Sequence, residues 1–320
     1  MIHVVTGAAG FVGSHLVDAL LAQGDRVAAV GSLRLGTRAF LAAAQSSPAF
    51  GFAEADCSDA AAFRAALRGL LPDGRADMIW HMAANADIRA GVGDPDVDLR
   101  HTFLTTHEAL RMAREFGVRR FAFASTSAVY GERSGALTED SGPLNPISNY
   151  GAMKLAAEAA VSAATARTLD RAWIFRFPNV VGSRATHGVI YDFMHKLKAD
   201  PTTLEVLGDG TQQKPYLHVA ELIAAVKFIV ARANDRLNVF NVSSRGPGTT
   251  VRFIAEEAVR VATPGARIRY TGGDRGWVGD VPKFSYSTDK LAALGWSAPQ
   301  TSDDAVRRAV RETAAEILGV

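Results

Sequence analysis

At 320 residues, 48% of them hydrophobic and 21% charged, the chain has ordinary globular composition and room for one large or two modest domains, which excludes a disordered protein. Its formal net charge of +2 is too mild, and its Lys and Arg too dispersed, for a nucleic-acid or membrane-surface binder, although small anionic ligands fit. One cysteine, Cys57, excludes an internal disulfide and any cysteine-based metal cluster, and no run approaches the ~18 apolar residues of a membrane span.

The sequence opens on an apolar β-like run after His3 with no basic leader, which sets the expectation of a cytoplasmic protein without a metal. From there short β-rich runs alternate with helix-length segments. "HVVT" (3–6), "RVAAV" (26–30), "FGFAEA" (50–55), "DMIWHM" (77–82) and "RRFAFAST" (119–126) read as strands, while 11–23, 58–70 and 101–117 carry apolar residues at helical spacing. Repeated βαβ units need crossover helices, so they imply a parallel sheet covered on both faces, with ligands at the carboxyl ends of its strands. "AWIFRF" (172–177) and "NVFNV" (238–242) extend that sheet. The expected architecture is α/β: a Rossmann doubly wound parallel sheet over 1–177, with roughly 215–245 returning to it. A smaller α/β substrate domain is expected from 178–214 and 246–320, where most of the Gly/Pro loops fall.

The first ligand signal lies between the first strand and the first helix, in "TGAAGFVGSHL" (6–16). Gly7, Gly10 and Gly13 give a tight turn, close approach of backbone to a pyrophosphate, and close packing of helix on strand, and the helix N-terminus favours negative charge. That context predicts a bound dinucleotide. An acid that would accept from the adenosine ribose hydroxyls is expected about 20 residues on, but the second strand ends at Gly31, followed by Ser32 and Arg34. Either Ser32 and backbone hold the ribose and the cofactor is NAD, or Arg34 meets a 2′-phosphate and the cofactor is NADP; Arg34 is otherwise a solvated loop charge. Asp56 is a candidate partner for the adenine amino group or, equally, a cap for the helix beginning near Ser58.

"SNYGAMK" (148–154) puts Tyr150 and Lys154 on one helix face, a spacing that alone is as compatible with a solvated helix as with a site. With the glycine turn upstream, "HMAAN" (81–85), "FASTSAVYG" (123–131) and "RFPNVVG" (176–182), the chain resembles an extended short-chain dehydrogenase/reductase of the NAD-dependent epimerase/dehydratase family over essentially its whole length. The resemblance implies that Tyr150 is the base, that Lys154 favours its phenolate and holds the nicotinamide ribose, and that Thr126 orients the reacting hydroxyl. A phenol near pKa ~10 needs such help to act near neutrality. Thr126 has the alternative of a strand-end residue satisfying local backbone. Further cofactor contacts implied by the family are Phe11, Val12, Cys57, Ala83, Ala84, Asn85 and Pro178.

Within that family, 4,6-dehydratases carry an Asp–Glu pair after the Thr and decarboxylases a Glu two residues before the Tyr of "VYG"; here those positions are Ser127 and Ala128. Without the carboxylate, a 4-keto sugar is expected to take hydride back on its other face. The segments "ATHGVIYDFMHKL", "LEVLGDGTQQKPYLHV" and "DRGWVGDV" are similar to nucleotide-binding segments of shorter microbial UDP-glucose 4-epimerases. They imply substrate contacts at Gly188, Val189, Leu204, Val206, Gln212, Lys214, Arg275 and Asp280, and Asn179 matches the family Asn that contacts the sugar diphosphate. Two positions depart from the pattern: Lys214 replaces an Arg and loses its bidentate fork, and Trp277 replaces the Arg of the usual RxGD motif. Phe284, four residues after Asp280, falls where a bulky side chain leaves little room for a 2-acetamido group, although an aromatic there also suits a core. The expectation is a homodimeric UDP-glucose/UDP-galactose 4-epimerase with tightly bound NAD. An NADP-linked 4-ketoreductase, a UDP-uronic acid epimerase and a non-catalytic cofactor sensor stand as alternatives.

Overall fold

The apolar runs and the amphipathic segments between them build a central seven-stranded sheet. In the computed structural model, which describes residues 1–133, 135–273 and 281–320, its strands are β1 (Ile2–Thr6), β2 (Arg26–Gly31), β3 (Phe50–Glu54), β4 (Met78–His81), β5 (Arg120–Thr126), β6 (Arg171–Phe177) and β7 (Leu237–Asn241). They lie in the order β7-β6-β5-β4-β1-β2-β3, so the chain starts in the middle and winds outward both ways. β1 pairs in parallel with β2 on one side and β4 on the other, which brings Thr6 opposite both Val30 and His81. The carboxyl ends of these strands form the crevice where doubly wound sheets place their ligands. Four helices cover the sheet: α1 (Phe11–Leu21), α2 (Ala60–Leu70), α3 (Thr105–Glu115) and α4 (Asn149–Thr165). Phe63, Leu67, Ile79, Met112, Phe121, Phe123, Val161 and Ile174 close one core between sheet and helices, each fully buried side chain contributing about 1.5–3 kcal/mol relative to exposure.

The chain divides into two compact units. The first comprises Met1–Gly131, Pro143–Arg176 and Val230–Phe240; the second comprises Glu132–Gly142, Phe177–Ile229 and Asn241–Val320. In the second unit α5 (Val189–Ala199), α7 (Val251–Ala262) and α8 (Ser302–Leu318) pack on one another, and α6 (Val219–Arg232) runs from the second unit into the first. Ile190, Phe193, Leu204, Ile254, Val306 and Val310 fill its core. Residues 215–229, which the sequence places with the first region, belong to the second unit. His218 bonds Glu312 of α8 at 2.9 Å, and the Ser302 hydroxyl accepts from the Tyr216 amide at 2.7 Å.

One expected helix differs. The 101–117 helix begins at Thr105, preceded by a π turn over Leu99–Leu104. Threonines cause the delay: the hydroxyls of Thr105 and Thr106 both donate to the Thr102 carbonyl, at 3.1 and 3.0 Å, offering the backbone partners that compete with regular i→i−4 bonds. Among the described residues no helix is long and apolar enough to cross a membrane, and no cluster of His, Cys, Asp or Glu could hold a metal.

Candidate active site

The glycine turn is built as its spacing implies. Gly7 has φ +64°, and a Cβ there would lie 2.8 Å from the Ala83 amide nitrogen; at Gly13 it would lie 2.1 Å from the Gly7 carbonyl oxygen. Both positions therefore need glycine, the first for its left-handed backbone and both for space. α1 then starts at Phe11 with Gly10 as its N-cap and no side chain closing its end. The bare helix terminus, approached only by backbone, suits a pyrophosphate, so the turn fits a dinucleotide. Gly10, Phe11, Val12 and Gly13 lie together in it, with Ala83 beside Gly7.

At the far end of β2, a Cβ on Gly31 would meet the Ala9 and Ala8 amides at 3.6 and 3.7 Å, ordinary contact distances. Ser32 and Arg34 are exposed, and the Arg34 charge acts on Asp98 and His101. Asp56 accepts from the Ser58 amide and hydroxyl, both at 2.8 Å, and stands 3.7 Å from His101, while the cap of α2 is Asp59. Cys57 is buried, and burial pushes its thiol up, away from the thiolate. Near Gly31, sequence reasoning missed Arg38. Its guanidinium pairs with Glu54 at 2.8 Å and lies 5.0 Å over the Phe52 ring, and Glu54 is the register partner of Gly31.

The three expected catalytic residues come together in the first unit. β5 ends at Thr126, whose hydroxyl accepts from the Ala128 amide at 3.1 Å and caps the turn Ser127–Tyr130. α4 begins at Asn149, capped by the Ser148 hydroxyl on the Gly151 amide, so Tyr150 sits in its first turn and Lys154 one turn on. Gly151 is needed here: a Cβ would lie 2.6 Å from the Ala128 carbonyl oxygen, so the helix start packs directly on the turn that follows Thr126. Burial raises the Tyr150 phenol above its ordinary range and the Asp98 charge raises it further, while a hydrogen bond with the Thr126 side chain favours the phenolate. Lys154 is buried, donates to the Ala124 carbonyl at 2.5 Å, and has its ammonium 4.7 Å over the Phe123 ring and 5.9 Å over that of Tyr150. Burial brings it down to about 7, against the charges of Glu158 and Asp98, which favour the ammonium. A phenol bonded to a hydroxyl and backed by a cation one helical turn away can accept and return a proton.

The Asn85 side chain is tied to its own loop. Its side-chain amide donates to the Asp87 carbonyl at 2.7 Å and to Asp98 Oδ1 at 2.9 Å, and its oxygen accepts from the Asp87 amide. Asp98 and Glu158 escaped the sequence reading. Glu158 carries a faint signal, as the acid four residues after Lys154 on the same helix face.

In the second unit the expected substrate residues have mixed settings. Asn179 Nδ2 is buried without a hydrogen-bond partner among the described residues, as are both amide atoms of Gln212. Gly188, the exposed N-cap of α5, precedes Val189, which packs on the core. Leu204 and Val206 are wholly buried core side chains, leaving only their backbone for any ligand. Lys214 lies on a two-residue strand paired with Thr249, Pro178 follows β6, and Phe284 packs edge-on against Tyr286 with centroids 5.7 Å apart. Arg275, Trp277 and Asp280 lie outside the described residues.

Residues 3–243 match the model of the NAD dependent epimerase/dehydratase family. The chain belongs to that family. It is 35% identical, over 69% of its length and 71% of the relative's, to the UDP-glucose 4-epimerase of Mycolicibacterium smegmatis. It is similar to a crystal structure of a UDP-galactose 4-epimerase, at TM-score 0.85 and 33% identity, covering 99% of this chain and 100% of the other. It is also similar to a dTDP-glucose 4,6-dehydratase, DesIV of Streptomyces venezuelae, solved with NAD bound: TM-score 0.86, 28% identity, 100% and 98% coverage. The family thus spans epimerases and dehydratases, and the site must distinguish them.

Proposed function

We propose that this epimerase/dehydratase family member is a UDP-sugar 4-epimerase that interconverts UDP-glucose and UDP-galactose with NAD held throughout. One observation carries the reading: the Thr126–Tyr150–Lys154 site is intact, and the turn after Thr126 opens with Ser127 and Ala128, with no carboxylate to assist elimination or loss of CO2. NAD, when bound, supplies a hydride acceptor that returns what it takes. Gly7, Gly10 and Gly13 would hold its pyrophosphate on α1. Tyr150 takes the proton of the sugar C4 hydroxyl through the Thr126 bond and gives it back after the sugar has turned, and Lys154 keeps the phenolate accessible. The unpartnered amides of Asn179 and Gln212 are polar groups that a bound nucleotide sugar would satisfy. By the family resemblance the enzyme works as a cytoplasmic homodimer.

Gly31 with Arg34 is the observation that favours a second reading, an NADP-linked ketoreductase. Mass spectrometry of the nucleotides released on denaturing the purified protein separates the two: NAD with a UDP-sugar is expected, and NADP would overturn the proposal. Sugar choice rests on Phe284, a half-buried ring braced by Tyr286. UDP-glucose and UDP-galactose should interconvert at least tenfold faster than their N-acetylated counterparts, and Phe284→Ser should narrow that gap, since one misfit group costs ~1–3 kcal/mol in a shaped pocket. A wild-type enzyme that prefers the acetylated sugars would place the gate elsewhere.

A further inference from the structure

The loop that follows β4, residues 82–85, walls the glycine turn: the Ala83 amide nitrogen is what a Cβ on Gly7 would strike, at 2.8 Å. Thr6 turns that loop with two acceptors. Its carbonyl takes the Met82 amide and its hydroxyl oxygen the Ala83 amide, each at 3.3 Å. At the other end of the loop the Thr102 hydroxyl accepts from the Asn85 amide at 3.3 Å and donates to Asp98 at 3.4 Å. The Gly91 turn passes directly over that carboxylate, where a Cβ would fall 1.8 Å from Oδ2. Threonine side chains therefore fasten the loop at both ends.

His81 joins the two fastenings, and the direction of every proton in the join follows from what each atom can donate or accept. The Thr102 carbonyl only accepts, so the Thr106 hydroxyl gives its one proton there, at 3.0 Å. Thr106 then faces His81 as an acceptor, and the 3.1 Å contact between them puts a hydrogen on Nε2. Wholly buried and stacked on Phe123 with centroids 6.0 Å apart, the imidazole is neutral, which leaves Nδ1 bare. The Thr6 hydroxyl therefore donates to Nδ1, at 2.8 Å. The chain runs one way, from the Ala83 amide through the Thr6 hydroxyl, the His81 ring and the Thr106 hydroxyl to the Thr102 carbonyl. A threonine hydroxyl that both accepts and donates is held in one χ1, and each bond strengthens the other. Without an acceptor at Nδ1 the buried Thr6 proton is unpaired, and turning χ1 toward another partner would bring the methyl group against the Ala83 amide.

We propose, resting on the fit of the glycine turn to a dinucleotide, that His81 is a positioning residue for the cofactor: its Nε2–H tautomer, set by Thr106, orients the Thr6 hydroxyl and so holds Ala83 against Gly7, fixing the wall of the groove that takes NAD. Thr6 and His81 then act on the cofactor as a unit.

Calorimetric titration of NAD into protein stripped of nucleotide tests that unit. His81→Gln keeps a donor for Thr106 and deletes the acceptor for Thr6, while Thr6→Val deletes the hydroxyl at nearly constant shape. Each should weaken NAD about tenfold or more, and the double variant no further, because the second change removes a bond already lost. Thr6→Ser, which restores the hydroxyl, should bind NAD close to the wild-type value. Losses that add, or His81→Gln with wild-type affinity, overturn the proposal. Should the variants not fold, the ¹⁵N spectrum of the wild-type His81 ring, assigned through its contacts with Phe123, decides: Nδ1 must be bare and Nε2 protonated, and a hydrogen on Nδ1 sinks the idea. A wild type without affinity for NAD overturns the dinucleotide fit and this role with it, whereas tight wild-type binding with additive losses overturns this role alone.

Discussion

His81 ends β4 wholly buried, one ring nitrogen 2.8 Å from the Thr6 hydroxyl and the other 3.1 Å from that of Thr106. Burial, with the Lys154 charge as a lesser cause, holds it down to about 3. In the unfolded chain it titrates near 6.5, so between 6.5 and 3 the unfolded state binds the extra proton and stability falls as pH falls. Each pH unit in that window removes up to about 1.4 kcal/mol. Urea unfolding between pH 7 and 5 should show that slope, and His81→Gln, though less stable at pH 7, should show a shallower one; equal slopes would mean that His81 is protonated in the fold. Residues of this kind mark the limit of what a sequence shows. Tyr150 and Lys154 could be picked out because a spacing of four on one helix is local. The roles of His81, Asn85 and Asp98 depend on partners brought in by β1, α3 and the Gly91 turn, and no spacing announces them.

At the scale of elements, β2 ends at Gly31 with room to spare, which makes the cofactor question testable there. Gly31→Asp adds a side chain whose Cβ meets nothing nearer than 3.6 Å, and its carboxylate would face the ribose hydroxyls. NAD binding should hold or tighten, while NADP should weaken by tenfold or more, about 1.4 kcal/mol, from the like charge on its 2′-phosphate. Titrating both cofactors against both proteins checks the sign, and improved NADP binding would refute it. The strands and the glycine turn were readable because alternation and glycine spacing are properties of short segments. The π turn at Leu99–Leu104 was not, because threonine hydroxyls bonding back to carbonyls redirect a helix without disturbing its apolar period.

Across the whole molecule, the first unit is closed by a strand that arrives late in the chain. Asn238 of β7 is buried and donates to the Ala172 carbonyl at 3.1 Å and the Asp235 carbonyl at 2.6 Å, while Trp173 Nε1 donates to the Ala233 carbonyl at 3.1 Å. Asn238→Ala removes two of these bonds, a loss of about 1–3 kcal/mol. A lower urea midpoint with an unchanged m-value is expected, and an unmoved midpoint would show that these two bonds add nothing to stability. The return of the chain to the sheet was visible in the apolar run at 238–242, but the assignment of 132–142 and 215–229 to the second unit depends on tertiary partners such as Glu139, which accepts from the Asn241 amide.

The edge position of β7 also matters during synthesis. β6 leaves the ribosome with its outer edge open, and the covering strand is made only after residues 178–236 have been translated, a delay of roughly 3–12 s at about 5–20 residues per second. Through that interval an apolar strand, "AWIFRF", offers unpaired backbone to any neighbouring nascent chain. Crowded polysomes, more than the finished protein, are where this sequence is most exposed to misassembly.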